Sequence, residues 1–202
     1  MDASAWNARY AGTDLVWSAT PNQFVAAELA SLAPGRAVDL AAGEGRNALW
    51  LAAQGWEVTA VDFAAAGLEK GRSVAETLDL ARPVTWQCAD VLTWTAETPY
   101  DLAVLAYLQL PAAERREAAR RAVAALRPGG TFFLVAHDSS NLTEGVGGPQ
   151  EPAVLMTAED VVADLAGTGV EVLRAERVAR EVPGPDGTRT AYDALVRAVL
   201  PA

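Results

Sequence analysis

The sequence is poor in the residues that carry disulfide and metal chemistry: its 202 residues include one cysteine, Cys88, and one histidine, His137. A lone cysteine excludes a disulfide framework, and a lone histidine excludes a His-rich metal site, so no metal is expected. Cys88 itself reads as a small buried hydrophobe, since nothing cationic neighbours it in sequence. Surplus positive charge is also missing. The 16 Lys and Arg stand against 26 Asp and Glu, a formal net charge of -10, whereas nucleic-acid binding needs cations that neutralise phosphates. No DNA or RNA partner is expected. No apolar run is long enough to span a bilayer, and no basic segment followed by an apolar one opens the chain, so a cytoplasmic protein without membrane attachment is expected. The densest basic cluster, Arg115, Arg116, Arg120 and Arg121 with Glu114 and Glu117 between them, reads as the solvated face of an alanine-rich helix.

What is present is a strand, turn, helix and strand over Arg36 to Asp62. Ala37, Val38 and Leu40 form an apolar run, Ala41 to Gly45 a small-residue turn, and Leu49 to Ala52 a helix that Gly55 stops. Glu57 to Val61 is a second β-branched strand closed by Asp62. In such a βαβ unit the ligand lies at the carboxyl edge of the strands, against free helix N-H groups. Gly43 and Gly45 permit close approach of a ligand to the backbone. Asp62, roughly 20 residues past the turn, is placed for the hydroxyls of a ribose. Asp39 and Glu44 would repel a pyrophosphate and suit a ligand with an ammonium group. The ligand expected is a nucleoside derivative.

Asp39-Leu40-Ala41-Ala42-Gly43-Glu44-Gly45 resembles the first motif of class I S-adenosylmethionine-dependent methyltransferases, D/E-x-G-x-G-x-G or a close relative. Ala41 and Ala42 depart from it, the latter where Cys or Gly is common, but both are small. Gly43 to Asn47 and Trp6-Asn7-x-Arg9-Tyr10 further resemble the small-molecule branch that holds the tellurite-resistance and thiopurine-type enzymes. The resemblance implies S-adenosylmethionine as cofactor, with S-adenosylhomocysteine as product, bound by Asp39, Ala41, Gly43, Gly45, Arg46, Asp62, Phe63, Asp90, Val91 and Ala106. In this placement Asp39 and the turn take the amino-acid end, Asp62 the ribose, and Asp90 with Val91 the adenine. It also implies that Ala106 and Tyr107 line the methyl-transfer face, and that a soft anionic small molecule is the acceptor.

Along the rest of the chain, residues 1–33 read as an N-terminal flap and helix, with Thr20-Pro21-Asn22-Gln23 as a capping box. Tyr10, Trp17 and Asn22 are substrate-pocket candidates, since such a flap lies over the active site in the resembled family. Residues 34–137 read as the cofactor-binding core. Within it Ala64 to Leu78 is a helix with Leu68, Ala75 and Leu78 on one face, Val84 to Cys88 a strand, and Tyr100 to Ala106 a central strand buried on both faces. Pro111 opens a helix to Leu126, and Arg127-Pro128-Gly129-Gly130 reads as its stop. Residues 138–156 form a polar, Gly-rich stretch expected to be a substrate loop or lid. His137 is the one side chain whose unperturbed pKa suits proton abstraction near neutrality, with Asp138 or Asn141 orienting substrate. Residues 157–202 give a last helix capped by Thr157 and two strands joined at Pro183 to Gly187, necessarily antiparallel.

These readings define a single α/β domain, a three-layer Rossmann-like seven-stranded mostly parallel sheet with an antiparallel last strand. The expected activity is methyl transfer to a small molecule by a monomer or homodimer, with His137 and Tyr107 as catalytic candidates. A nicotinamide-dependent oxidoreductase, disfavoured by Asp39 and Glu44, and a non-catalytic sensor of an adenosyl ligand remain alternatives.

Overall fold

The computed structural model describes residues 2–12, 15–16, 20–184 and 187–202. Seven strands form one sheet: β1 (Arg36–Leu40), β2 (Glu57–Asp62), β3 (Val84–Cys88), β4 (Tyr100–Ala106), β5 (Leu126–His137), β6 (Glu171–Gly184) and β7 (Gly187–Val199). They lie in the order β3-β2-β1-β4-β5-β7-β6. Neighbours run parallel except at β7, which is antiparallel to both β5 and β6. The expected mostly parallel sheet with an antiparallel last strand is therefore present, and β7 is inserted between β5 and β6.

Among the described residues six α-helices accompany it: α1 (Ala3–Tyr10), α2 (Gln23–Leu29), α3 (Arg46–Ala53), α4 (Ala65–Ala75), α5 (Ala112–Ala124) and α6 (Ala158–Asp164). Alternation along the strands divides the core between two faces. Phe132, Leu134 and Ala136 pack with Ala118, Ala119 and Ala122 of α5 and Val161 of α6. Phe133 and Val135 point the other way, toward Val25 and Leu29 of α2 and Leu51 of α3. Burial on both faces is what makes β4 and β5 read as continuous apolar runs. Each fully buried phenylalanine contributes about 2 to 3 kcal/mol by removing its ring from water.

Several element boundaries differ from the sequence reading, each for a local reason. The cap of α2 is Asn22, not Thr20: its side chain accepts from the N-H groups of Phe24 and Val25. Helix α4 ends at Ala75, and Leu78 beyond it is 47% exposed instead of completing an apolar face. Cys88 is exposed, because β3 is an edge strand with little cover. Helix α5 ends at Ala124, so Arg127 to Gly130 is not its stop but an irregular start of β5. Leu126 pairs with Tyr100 and Thr131 with Leu102, leaving the residues between to bulge outward.

The arginine cluster is not a solvated face. Arg115 Nε donates to Asp164 Oδ2 at 2.6 Å and Arg116 Nε to Asp164 Oδ1 at 3.0 Å, while Arg120 donates to the carbonyls of Asp164 and Ala166. Arg115 is buried, and Asp164 almost wholly so. Three arginines on two successive turns of α5 thus grip the C-terminal end of α6, whose carbonyls and helix dipole favour cations there.

Candidate active site

The chain passes from β1 outward to β2 and β3, then returns to lay β4 on the other side of β1. Connections leaving β1 and β4 diverge, and the crevice this opens at the carboxyl ends of the two strands is where open α/β sheets take ligands. The residues leaving both strands are strained alike: Ala41 and Tyr107 each have φ +59°, the left-handed region that non-glycine residues avoid.

After β1, Ala41, Gly43 (φ +58°) and Gly45 (φ +74°) turn the backbone back on itself, and Gly45 caps α3 without a side chain. A Cβ on Gly45 would lie 2.5 Å from Cη2 of Trp86, which packs against the turn from β3. The turn is thus lined by backbone and closed behind by an indole. Replacing Ala41 with Gly relieves a left-handed alanine and is expected to stabilise the fold by about 1 kcal/mol, read as a raised urea midpoint.

Two carboxylates hold this turn. Asp39 Oδ2 accepts from the Ala48 N-H at 3.1 Å. Asp62 Oδ2 accepts from Gly43 N-H at 2.8 Å and its Oδ1 from Ala64 N-H at 2.7 Å. Burial pushes the Asp39 pKa up to about 7, against the lowering influence of the Ala48 N-H and the Arg46 guanidinium. Burial likewise raises Asp62, opposed by the N-H groups of Ala64, Gly43 and Phe63. Arg46 stands within electrostatic reach of Asp39, Tyr107, Tyr10 and Arg180, and burial lowers its pKa. Glu44 differs from its expected role toward a cationic ligand. It accepts from Lys70 Nζ at 3.2 Å and from Val16 N-H at 3.0 Å, so a cation of the protein already faces it.

The other residues assigned to the cofactor line the same edge. Phe63 follows Asp62, and its carbonyl accepts from Cys88 Sγ at 3.7 Å. Asp90 is exposed after β3 with Val91 buried beside it, and Asp90 Oδ1 caps its own turn through Leu92 N-H at 2.9 Å. Ala106 is the last residue of β4. From α1, Asn7 Oδ1 accepts from Ala66 N-H at 2.9 Å, supplying the N-terminal cap that α4 lacks. This docking brings Tyr10, stacked on Trp6, to the turn: a Cβ on Gly67 would meet Gly43 O at 3.0 Å and Tyr10 Cδ2 at 3.1 Å. Trp17 lies outside the described residues.

Across the crevice, β4, β5 and β7 assemble a polar cluster. The hydroxyl of Tyr107 donates to Asp193 Oδ2 at 2.9 Å and accepts from Asn22 Nδ2 at 3.1 Å. Burial, with the Asp193 charge, raises the Tyr107 pKa and keeps its phenol neutral. His137 lies beside that ring at 4.7 Å between centroids. Asp193, opposite His137 in the β5 and β7 register, is fully buried and also accepts from Arg180 Nε at 2.9 Å. Burial would raise the Asp193 pKa, but the neighbouring His137 ring and the bond from Arg180 outweigh it and hold the carboxyl below its ordinary value.

The stretch after β5 is tied down. Short 3-10 helices span Ser139–Leu142 and Pro152–Val154, and Asp138 bridges to Met156. Both residues proposed to orient substrate also bond within the protein here. Asp138 accepts from the N-H and hydroxyl of Ser140, and the Asn141 amide bonds both ways with the backbone of Tyr192. Further on, Gly148 (φ +76°) lies against the His137 ring, where a Cβ would meet Cγ at 2.8 Å. The loop therefore covers one face of the imidazole.

Asp193 and Arg180 were absent from the sequence reading. One signal was there: Asp193 keeps the phase of buried Ala191 and Leu195, an acid on the apolar face of its strand. Among the described residues no group of three or more His, Cys, Asp or Glu could hold a metal ion, and no helix is long and apolar enough to cross a membrane.

Residues 37–130 match the family model described as methyltransferase domain. No curated protein matches the chain. Among solved structures, one reported with the conversion of a disulfide bond into a thioacetal group during echinomycin biosynthesis aligns with TM-score 0.78 and 19% identity, covering 98% of this chain and 91% of that one. The N-methyltransferase NodS from Bradyrhizobium japonicum WM9, in complex with S-adenosyl-L-homocysteine, aligns with TM-score 0.73 and 18% identity over 99% of this chain and 98% of that one. TehB from Haemophilus influenzae gives TM-score 0.72 and 18% identity over 98% and 66%. At these identities the likeness is one of fold.

Proposed function

We propose that this chain, whose residues 37–130 match a methyltransferase domain, transfers the methyl group of S-adenosylmethionine to a small-molecule acceptor bound in the crevice beside Tyr107 and His137. The observation that carries this reading is the pair of buried carboxylates on the backbone-lined turn. A half-ionised Asp39 beside the turn has most to gain from a ligand ammonium, and Asp62 stands where the second strand ends, with both carboxylate oxygens on the turn. The chemistry of the donor set fits the cofactor: one acid for the amine, one for vicinal hydroxyls, and a turn with no side chains in the way.

When bound, S-adenosylmethionine supplies an electrophilic methyl carbon on a sulfonium. The protein's part is to hold the two reactants in line and to keep water out. Asp39, Ala41, Gly43, Gly45 and Arg46 would position the amino-acid end, Asp62 and Phe63 the ribose, and Asp90 and Val91 the adenine. Ala106 and Tyr107 lie at the centre of the edge, where the methyl group has to reach the acceptor, and Tyr10 and Asn22 close the crevice from the N-terminal side. The same reading places the enzyme in the cytoplasm as a monomer or homodimer. The net charge of -10 supports a small molecule over nucleic acid as its substrate.

Calorimetric titration with S-adenosylhomocysteine, with reduced nicotinamide dinucleotide as control, tests the proposal. Micromolar binding of the first and none of the second is expected; the reverse would transfer the turn to an oxidoreductase. Replacing Asp62 with Ala removes the acceptor of Gly43 and Ala64 as well as the ribose partner. It is expected to weaken S-adenosylhomocysteine by about 1 to 3 kcal/mol, and unchanged affinity would remove Asp62 from the ribose site.

A further inference from the structure

His137 Nδ1 and Asp193 Oδ1 face each other at 3.4 Å, both buried, and neither meets a partner in hydrogen-bond geometry among the described residues. If Nδ1 carried no proton, its lone pair would point at a carboxylate oxygen, with both atoms buried. A proton on Nδ1 removes that repulsion. The imidazole is 20% exposed, and with Nδ1 turned inward that exposure belongs to the rest of the ring, where Nε2 keeps its lone pair for the crevice. A buried carboxylate that fixes the tautomer of a histidine and supports its protonated form is the arrangement of a general base.

The other groups nearby are committed elsewhere. Tyr107 donates its proton to Asp193 and is held neutral. Asp193 is kept ionised by Arg180. Asp138 and Asn141 serve the loop.

We propose that Asp193 is a positioning residue that sets His137 as general base, and that the acceptor is therefore a hydroxyl compound, phenolic or enolic. This deepens the methyltransferase reading and rests on it. A thiol supplies its own thiolate, and a neutral amine attacks through its lone pair and sheds a proton afterwards. Only a hydroxyl needs the proton removed as the bond forms. In the step, the acceptor oxygen bonds to the methyl carbon while its proton passes to His137 Nε2. The electron pair of the broken carbon-sulfur bond stays with sulfur, which leaves as a neutral thioether, and His137 returns the proton to solvent. The soft anionic acceptors implied by the family resemblance would leave this dyad without work.

His137 is the one histidine of the chain, so long-range proton-nitrogen NMR reports its tautomer without assignment. Above the pH at which the ring is neutral, Nδ1 is expected to carry the proton, the reverse of the free side chain. In Asp193→Asn the amide oxygen must take the place of Oδ2, which accepts from both Tyr107 and Arg180. The amide NH2 then faces Nδ1, and the proton is expected to move to Nε2. With S-adenosylmethionine and a panel of phenols, thiols and amines, phenols are expected to be turned over. Asp193→Asn and His137→Gln should each lower kcat by about 100-fold or more and leave the KM for S-adenosylmethionine unchanged.

A wild-type ring protonated on Nε2, full turnover by His137→Gln, or no transfer to any phenol would each overturn the proposal. The wild-type tautomer needs no variant to fold. Failure of the wild-type protein to bind S-adenosylhomocysteine is a different result, for it would remove the methyltransferase reading while the tautomer is still measured.

Discussion

Asp39→Asn is expected to stabilise the fold above neutral pH and, in the same protein, to lose most of its affinity for S-adenosylmethionine. Asp39 is 1% exposed, and its pKa is pushed from 3.8 to about 7 mainly by burial. A carboxyl with a raised folded pKa leaves stability intact below the unfolded value and removes it as pH rises through the folded one. The window here runs from about pH 4 to about pH 7, and a shift of this size corresponds to about 4 kcal/mol at its upper end. Asn keeps an oxygen for the Ala48 N-H and has no proton to lose. Its urea midpoint should equal that of the wild type near pH 4 and exceed it at pH 8; a constant difference across this range would show that Asp39 does not titrate near neutrality.

The ligand has the opposite dependence. An ammonium group needs the carboxylate, so wild-type affinity for S-adenosylhomocysteine should rise by on the order of tenfold per pH unit below pH 7 and level above it. The Asn variant should be weak and should lack this titration. A wild-type affinity that is flat from pH 5 to 8 would take the ammonium away from Asp39.

The second large effect lies far from the crevice. Asp164→Ala leaves the buried guanidinium of Arg115 without its 2.6 Å partner and also frees Arg116. Removing one member of a buried ion pair costs about 3 to 5 kcal/mol, because the charge left behind has neither water nor a counter-charge. Chemical denaturation should show that loss with the affinity for S-adenosylhomocysteine unchanged, since α5 and α6 do not line the turn. Arg115→Met with Asp164→Leu should recover much of the stability, a buried pair being replaceable by apolar groups of similar volume. A loss within the range of an exposed pair would mean that the clamp contributes nothing beyond its surface neighbours.

These cases separate what could be read in the sequence from what could not. The βαβ unit to which the cofactor is assigned was legible because its residues are contiguous. From β1 through the turn and α3 to β2, period, glycines and acids follow one another, and the structure reproduces that order. The apolar run of β4 and the hairpin of β6 and β7 were legible for the same reason, each being a local pattern.

The polar cluster around Asp193 was not. Asp193 and Arg180 meet only because β7 folds back on β6 and inserts beside β5, and a strand carries no mark of which neighbour it will choose. The arginines of α5 look solvated in any helical projection, since the acid they bind lies more than forty residues on. Cys88 looks buried until β3 proves to be an edge. Asn141 and Asp138 have the chemistry of ligand-binding residues and spend it on backbone, which residue type alone does not reveal.

The insertion of β7 between β5 and β6 also bears on how the protein is made. Synthesis runs from the N-terminus, so β1 to β5 leave the ribosome first and can pair with one another, completing the edge to which the cofactor is assigned. Strand β6 emerges next and has no place to attach, because its one neighbour in the finished sheet is β7. Until β7 arrives, β5 presents an open row of N-H and C=O groups flanked by Phe132, Phe133 and Val135, the kind of edge on which nascent chains pair with one another. Asp193 arrives on that same strand. The nascent chain can therefore complete the edge proposed for the cofactor before His137 has its neighbour, and the strand that ends the danger of aggregation is the one that brings the proposed positioning residue.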